Sequence, residues 1–171
     1  GPAAVTIGKF DGVHLGHRAV IDRGRGVERD RSLVPTVVTF DRNPLSVLRP
    51  ELCPEPLVSN EQKLELLAEA GVEATLMLTF DEEFRAMAPE SFVVDVLVRG
   101  LHSSAVLVGG DFRFGARGAG DVGLLRALGG VHDFEVILVD DVANEADRRV
   151  SSTWIREALD AGDVRTAARL L

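Results

Sequence analysis

The chain has one cysteine, Cys53, in 171 residues, so it can form no internal disulfide, and a chain of this size needs none to be stable. A lone thiol fits a reducing compartment, and the expected location is the cytoplasm. Positive charge is also scarce: 19 Lys and Arg against 27 Asp and Glu leave a net charge of −8 and a pI near 5.0. That balance excludes an extended nucleic-acid footprint, because most of the surface would repel a polyanion. It does not exclude a small phosphate-bearing molecule, which a few arginines and backbone amides can hold locally. No apolar run approaches the roughly 20 residues of a membrane helix, and Gly1-Pro2-Ala3 is not the charged start of an export signal. The expectation is a soluble chain with no membrane partner. Its opening straight into an apolar strand pattern reads as a start just inside a domain.

What the chain does have is a core: 46% of its residues are hydrophobic, enough for one folded unit. Five short runs rich in Val, Ile, Leu and Phe alternate with amphipathic stretches, at Ala3–Lys9, Leu33–Phe40, Glu73–Phe80, Ser104–Gly109 and Phe134–Val139. This is the pattern of βαβ units feeding a buried parallel sheet. Ser59 and Gln62 have capping-box spacing ahead of Leu64, Leu66 and Leu67, with Gly71 placed to close that helix. Pro89-Glu90 opens a second helix that Gly100 is expected to stop. A helix after Gly16 is expected to end early or run irregularly, since Gly24 and Gly26 each cost about 1 kcal/mol in a helix interior. Residues 152–171 read as a helical extension of two short helices broken at Gly162, with Asp163 capping the second. Four prolines make residues 41–58 a long irregular connection, of the kind that is functional or mobile.

Winding five parallel strands outward from the first gives the order 3-2-1-4-5, a Rossmann-like doubly wound sheet. Ligands then bind outside the carboxyl ends of strands 1 and 4. Both following loops are glycine-rich: Gly8 to His17 after strand 1, and Gly109 to Asp121 after strand 4. In the first, His14 and His17 stand three apart at a helix start, which puts both rings on one side of the first turn, where free amides and the helix dipole favour an anion. Gly12 and Gly16 would let a ligand oxygen approach the backbone. Phosphate handling is the reading preferred, against surface histidines on a glycine loop, or a metal site with a third ligand such as Asp11. In the second loop Phe112 and Phe114 either pack under a turn or line a site, with Arg113 and Arg117 beside them. Near the end, Arg149, Ser152, Thr153 and Arg156 bring hydroxyls and arginines to a helix start, either as an ordinary cap or as holders of phosphate oxygens.

Four segments in order resemble the adenylyltransferase module of bacterial bifunctional riboflavin kinase/FMN adenylyltransferases: GKFDGVHLGH at Gly8 to His17, Phe40 to Pro44, GDFRFGARGAGD at Gly110 to Asp121, and RVSSTWIR at Arg149 to Arg156. The HxGH element is shared by a wider nucleotidyltransferase superfamily; the other segments are more specific. The resemblance spans Val5 to Leu171 and implies one domain over 1–171 with no kinase domain among these residues, transferring AMP from ATP to FMN with Mg²⁺ to give FAD and pyrophosphate. It implies His14, His17 and Arg156 as catalytic groups. Gly8, Phe10, Asp11, Gly12, Gly16, Asp111, Arg149, Ser152 and Thr153 would join them around ATP. Phe40, Asn43, Pro44, Asp111, Phe112 and Phe114 would form the flavin site, and Asp111 would be the one metal ligand. A fused or cleaved-off riboflavin kinase domain is the partner it implies. The chain departs from the family's Phe-x-Pro-His-Pro segment, having Arg42 and Asn43 in place of proline and histidine, and has Gly110 where an acidic or aromatic residue is common. A nucleotidyltransferase with another phosphorylated acceptor, or a silent nucleotide-binding module, are the alternatives.

Overall fold

The computed structural model describes residues 1–140 and 148–171. Five strands form one all-parallel sheet: β1 (Ala3–Ile7), β2 (Val34–Phe40), β3 (Ala74–Leu78), β4 (Ser103–Gly109) and β5 (Glu135–Val139). Their order is β3-β2-β1-β4-β5, as the alternation of apolar runs predicts, and each strand lies within one or two residues of its expected bounds. Successive side chains of a strand point to opposite faces, and β1 shows the result. Ala3, Val5 and Ile7 join a core with Phe92, Val93, Leu97 and Leu125, whereas Ala4 faces the other side with Ala105 and Leu107. Both faces are covered, which is why these strands read as continuous apolar runs.

On one face lie α1 (Leu15–Arg31) and α3 (Asn60–Glu69), supplying Ile21 and Leu67 to the core. Helix α1 is unbroken over 17 residues, contrary to the expectation from its glycines. Gly24 is there because the helix approaches the sheet closely: a Cβ would sit 3.4 Å from Thr6 Oγ1. At Gly26 nothing lies within 4 Å, and the structure gives no reason for it. Helix α3 has the full capping box of Ser59 and Gln62, and Gly71 turns the chain in the left-handed conformation.

Between β2 and α3, residues 41–58 are less irregular than four prolines imply. They contain α2 (Leu45–Leu48) and a 3₁₀ turn at Pro50–Leu52. On the other face, α4 (Glu82–Arg85) and α5 (Pro89–Ser91) lead into a π-helical stretch, Phe92–Gly100, closed by Leu101 N–H donating to the Val96 carbonyl. The left-handed turn that follows is made by His102, not Gly100. Helix α6 (Val122–His132), capped by Asp121 accepting from Leu124 N–H, crosses from β4 to β5 and was not legible in advance. Helices α7 (Ser152–Asp160) and α8 (Val164–Leu170) form the extension with its own small core of Val150, Ile155, Ala158, Ala167 and Leu170. Gly162 breaks them in a left-handed turn, and Asp163 caps the second, as read.

Candidate active site

The carboxyl ends of β1 to β4, the loops after them and the start of α7 build the site. After β1 the backbone is left-handed at Phe10, Gly12 and Val13 in quick succession. A β-branched residue with positive φ is an outlier, and each such residue costs of order 1–3 kcal/mol unless its surroundings over-determine it. Here they do: Phe10 and Val13 are buried in the core with Ile21, Val37 and Leu67. Thr39 Oγ1 also clamps the loop by donating to the Lys9 carbonyl at 3.0 Å. The ring of Phe10, a residue expected at the ATP site, is buried and lies 5.0 Å from that of His17.

The two imidazoles stack, with centroids 3.6 Å apart and planes 16° from parallel. His14 is the N-cap of α1, and its Nδ1 accepts from His17 N–H at 3.3 Å. Burial, with help from the charge of Arg149, lowers His14 to a pKa of about 4, while Asp11 works against the shift. Burial chiefly, then His14, Lys63 and Arg149, holds His17 well below the usual range. Both rings are neutral at pH 7, so His14, with Nδ1 used as acceptor, carries its proton on Nε2 and presents a donor there. His17 Nδ1 is buried without a hydrogen-bond partner among the described residues, a cost a native fold tolerates where a ligand or water completes it. Gly16 is dictated by this pair: a Cβ would lie 2.8 Å from His14 Cε1 and 3.2 Å from the Val150 carbonyl. Gly12 needs both its positive φ and the space taken by Leu57 and Leu171.

The segment at 149–156 meets this loop through Asp11. Ser152 Oγ donates to the Asp11 carbonyl at 2.8 Å, the Arg156 guanidinium pairs with the Asp11 carboxylate, and that carboxylate also accepts from Leu57 N–H at 3.0 Å. Arg156 Nε further donates to the Glu55 carbonyl at 3.0 Å. Ser151, rather than Ser152 or Thr153, caps α7 by accepting from Trp154 N–H. Ser152 and Arg156 are thus already engaged in tying two loops together, and Thr153 is exposed beside them.

Two cavities open at this end of the sheet, sharing Lys9 and Phe40 as their common wall. The first, about 550 Å³, is polar: Asp11, Asn43, Ser152, Thr153 and Arg156 line it together with three further cations, Lys9, Arg42 and Lys63. The second, about 440 Å³, is walled by six of the chain's eight phenylalanines. Their rings form a chain of edge and stacked contacts from Phe80 and Phe40 (5.8 Å) through Phe84 and Phe92 (6.1 Å) to Phe114 and Phe112 (5.5 Å). Gly8, Pro44 and Asp111 are on the aromatic cavity, and both Arg113 and Arg117 face it. Phe114 is buried in the core as well, so packing and lining are one role here. His14 and His17 are in neither wall.

A profile of the FAD synthetase family matches residues 1–154. The chain belongs to the FAD synthetase family. It is 38% identical over 167 residues to the bifunctional riboflavin kinase/FMN adenylyltransferase of Escherichia coli K12, covering 98% of this chain and 53% of that protein. The corresponding protein of Listeria monocytogenes is 35% identical over 170 residues, covering 98% and 52%. The chain thus spans about half the length of the curated relatives it matches. A crystal structure named as a macrolide-efflux protein from Streptococcus pneumoniae shares the fold with a TM-score of 0.84 at 27% identity, over 99% of this chain and 56% of that one. No helix among the described residues is long and apolar enough to cross a membrane.

Three residues are placed as follows, two of them expected at the site and one not. Asn43, expected with the flavin elements, lines the polar cavity, and its Oδ1 caps α2 by accepting from Leu45 N–H at 3.0 Å. Asp111, expected near ATP as well as flavin, lines the aromatic cavity only. Lys63 was not singled out from sequence at all, although it occupies an apolar-face position of α3 with Leu66, Leu67 and Ala70, and a charge on such a stripe is the signal that marks it.

Proposed function

We propose that this chain, as one nucleotidyltransferase domain, transfers AMP from ATP to FMN, releasing pyrophosphate and forming FAD. The observation that supports it best is the pair of joined cavities, one polar and cationic, one aromatic. A flavin ring fits a slot of phenylalanines, and a ribityl phosphate leaving that slot past Phe40 and Lys9 enters the cavity that faces Ser152, Thr153 and Arg156. Among the cavity's charged residues four cations stand against Asp11 and Asp41 in a protein of net charge −8, a local field that draws anions inward.

In the reaction an oxygen of the FMN phosphate attacks the α-phosphorus of ATP. That O–P bond forms as the bond from the α-phosphorus to the bridging oxygen of the β-phosphate breaks, and pyrophosphate departs with the electron pair. No adduct with the protein is needed. The protein supplies position and preorganised donors: His14 Nε2–H and the ring of His17 for the developing charge, and the amides and hydroxyls at the start of α7 with Arg149 and Arg156 for the triphosphate. Gly8, Gly12 and Gly16 shape the loop, while Phe40, Pro44, Phe112 and Phe114 receive the flavin. A divalent metal accompanies the nucleotide, and Mg²⁺ fits the donors present. Among the described residues no group of three or more His, Cys, Asp or Glu can enclose an ion, and Mg²⁺ keeps phosphate and water ligands with one or two carboxylates. Asp111, on the aromatic side of the shared wall, is the carboxylate the family resemblance implies for it; the ion would neutralise phosphate charge. We place this work in the cytoplasm, and assign the riboflavin kinase activity of the relatives to none of these residues.

The test is direct. The protein is incubated with ATP, Mg²⁺ and FMN and the flavins are separated by chromatography. FAD is the expected product, and its absence with folded protein rejects the reading.

A further inference from the structure

Lys63 is 7% exposed, in the first turns of a helix whose neighbouring inward positions are apolar. A buried ammonium is costly unless something compensates it, and burial does lower its affinity for a proton, with Asp11 and Asp41 restoring part of it. Its Nζ donates to the Phe40 carbonyl at 3.0 Å. An ammonium has three N–H donors, so two remain, and the side chain is part of the polar cavity's wall. Phe40 is common to both cavities. The charge of Lys63 also reaches His17, where it helps to disfavour protonation of that ring. The cation is thus anchored in the wall of the polar cavity to the backbone of Phe40, the residue both cavities share.

We propose that Lys63 grips the phosphate of the acceptor and so selects a phosphorylated flavin over the same flavin without its phosphate. This rests on the FMN adenylyltransferase reading and deepens it. A flavin ring held by phenylalanines cannot by itself distinguish FMN from riboflavin, since the two differ only at the far end of the ribityl chain. Discrimination has to come from a donor in the cavity that the chain enters, and among the cations in its wall Lys63 is the buried one. Lys63 is fixed there by Phe40 and is already desolvated, so its hydrogen bond to a phosphate oxygen is stronger than the same contact in water.

The experiment titrates FMN and riboflavin by quenching of flavin fluorescence, on the wild-type chain and on Lys63→Met and Lys63→Arg. Methionine keeps the apolar stem and removes a buried charge, a change that often leaves stability intact or improves it. The wild-type chain is expected to bind FMN more tightly than riboflavin by tenfold or more, about 1.4 kcal/mol per factor of ten. Lys63→Met brings that ratio close to one with riboflavin affinity unchanged, and Lys63→Arg keeps most of it. Equal affinities in the wild type overturn the proposal, as does an undiminished ratio in Lys63→Met or a loss that falls on ATP instead. Should the methionine variant not fold, disappearance of the ratio in Lys63→Arg overturns it. Formation of FAD by the wild type is scored separately. No FAD with a ratio that depends on Lys63 defeats the reaction but not the phosphate grip; FAD with a ratio indifferent to Lys63 defeats the grip alone.

Discussion

The two cavities that meet at Lys9 and Phe40 are built by opposite means. The walls of the polar one are loops and helix starts held in register by single contacts between residues far apart in sequence: Leu57 and Arg156 on the Asp11 carboxylate, Ser152 on its carbonyl. The aromatic one is held by six rings in mutual contact, several of them core residues in their own right. The polar cavity therefore depends for its shape on a few single contacts, while the aromatic cavity spreads the same task over many similar rings. Substitutions in the two should fail differently.

The largest effect is expected from His17→Ala, which removes a preorganised donor: turnover falls by about 10²–10³-fold, with a much smaller change in ATP affinity, read by comparing kcat with nucleotide binding. An equal loss in both would mean that His17 binds ground state and transition state alike. Next comes Asp11→Ala, which strands the Arg156 guanidinium and the Leu57 N–H together. Removing one partner of a partly buried ion pair costs about 3 kcal/mol, so denaturant unfolding should shift by up to that amount, and ATP affinity should fall with it. Phe84→Ala takes one ring of six and should weaken FMN by about tenfold, in line with roughly 1.5 kcal/mol for lost ring contacts, leaving the Michaelis constant for ATP in place. If ATP binding falls equally, the two cavities are not separate sites.

The smallest net signal is the pH dependence of stability, because two buried groups oppose each other. His14, at about 4 in the fold against 6.5 in the unfolded chain, refuses protons that the unfolded chain takes up below pH 6.5. Stability is thus fully present above that value and lost as pH falls toward 4, by no more than about 1.4 kcal/mol per pH unit. Glu28 acts in reverse, since burial raises it to about 7 from 4.5; the folded chain keeps a proton the unfolded one releases, and stability falls as pH rises from 4.5 to 7. Denaturation midpoints measured on Glu28→Gln isolate the histidine contribution, which then has a single sign.

Strand order was legible because it depends on apolar runs and their spacing, and a run buried on both faces leaves no ambiguity about where it belongs. The capping box at Ser59 and the break at Gly162 were legible because their chemistry is local. Helix α6 was not: Gly123, Gly129 and Gly130 hide it, and Gly129 is required only because the Phe134 carbonyl would lie 2.5 Å from a Cβ there. Residues after β1 and α7 could be assigned to one site by motif, yet nothing in their spacing told that Ser152 and Arg156 spend their bonds on Asp11. The division into two cavities, with Asn43 on one and Asp111 on the other, is equally a product of tertiary placement. Lys63 shows the limit best, since its charge is visible in the sequence and its partner, a strand-end carbonyl 23 residues away, is not.

The tie between Asp11 and residues 152–156 also has a bearing on synthesis. The contacts join positions 141 and 145 apart, and ribosomes extend a chain at roughly 5–20 residues per second. The sheet strands β1 to β5 can be made and paired before α7 exists, and α7 ends 21 residues after β5, so for roughly one to four seconds a nascent chain owns a sheet and a histidine turn but no closed polar cavity. Arrested ribosomal complexes stalled before and after this helix emerges would separate folding of the scaffold from acquisition of ATP binding.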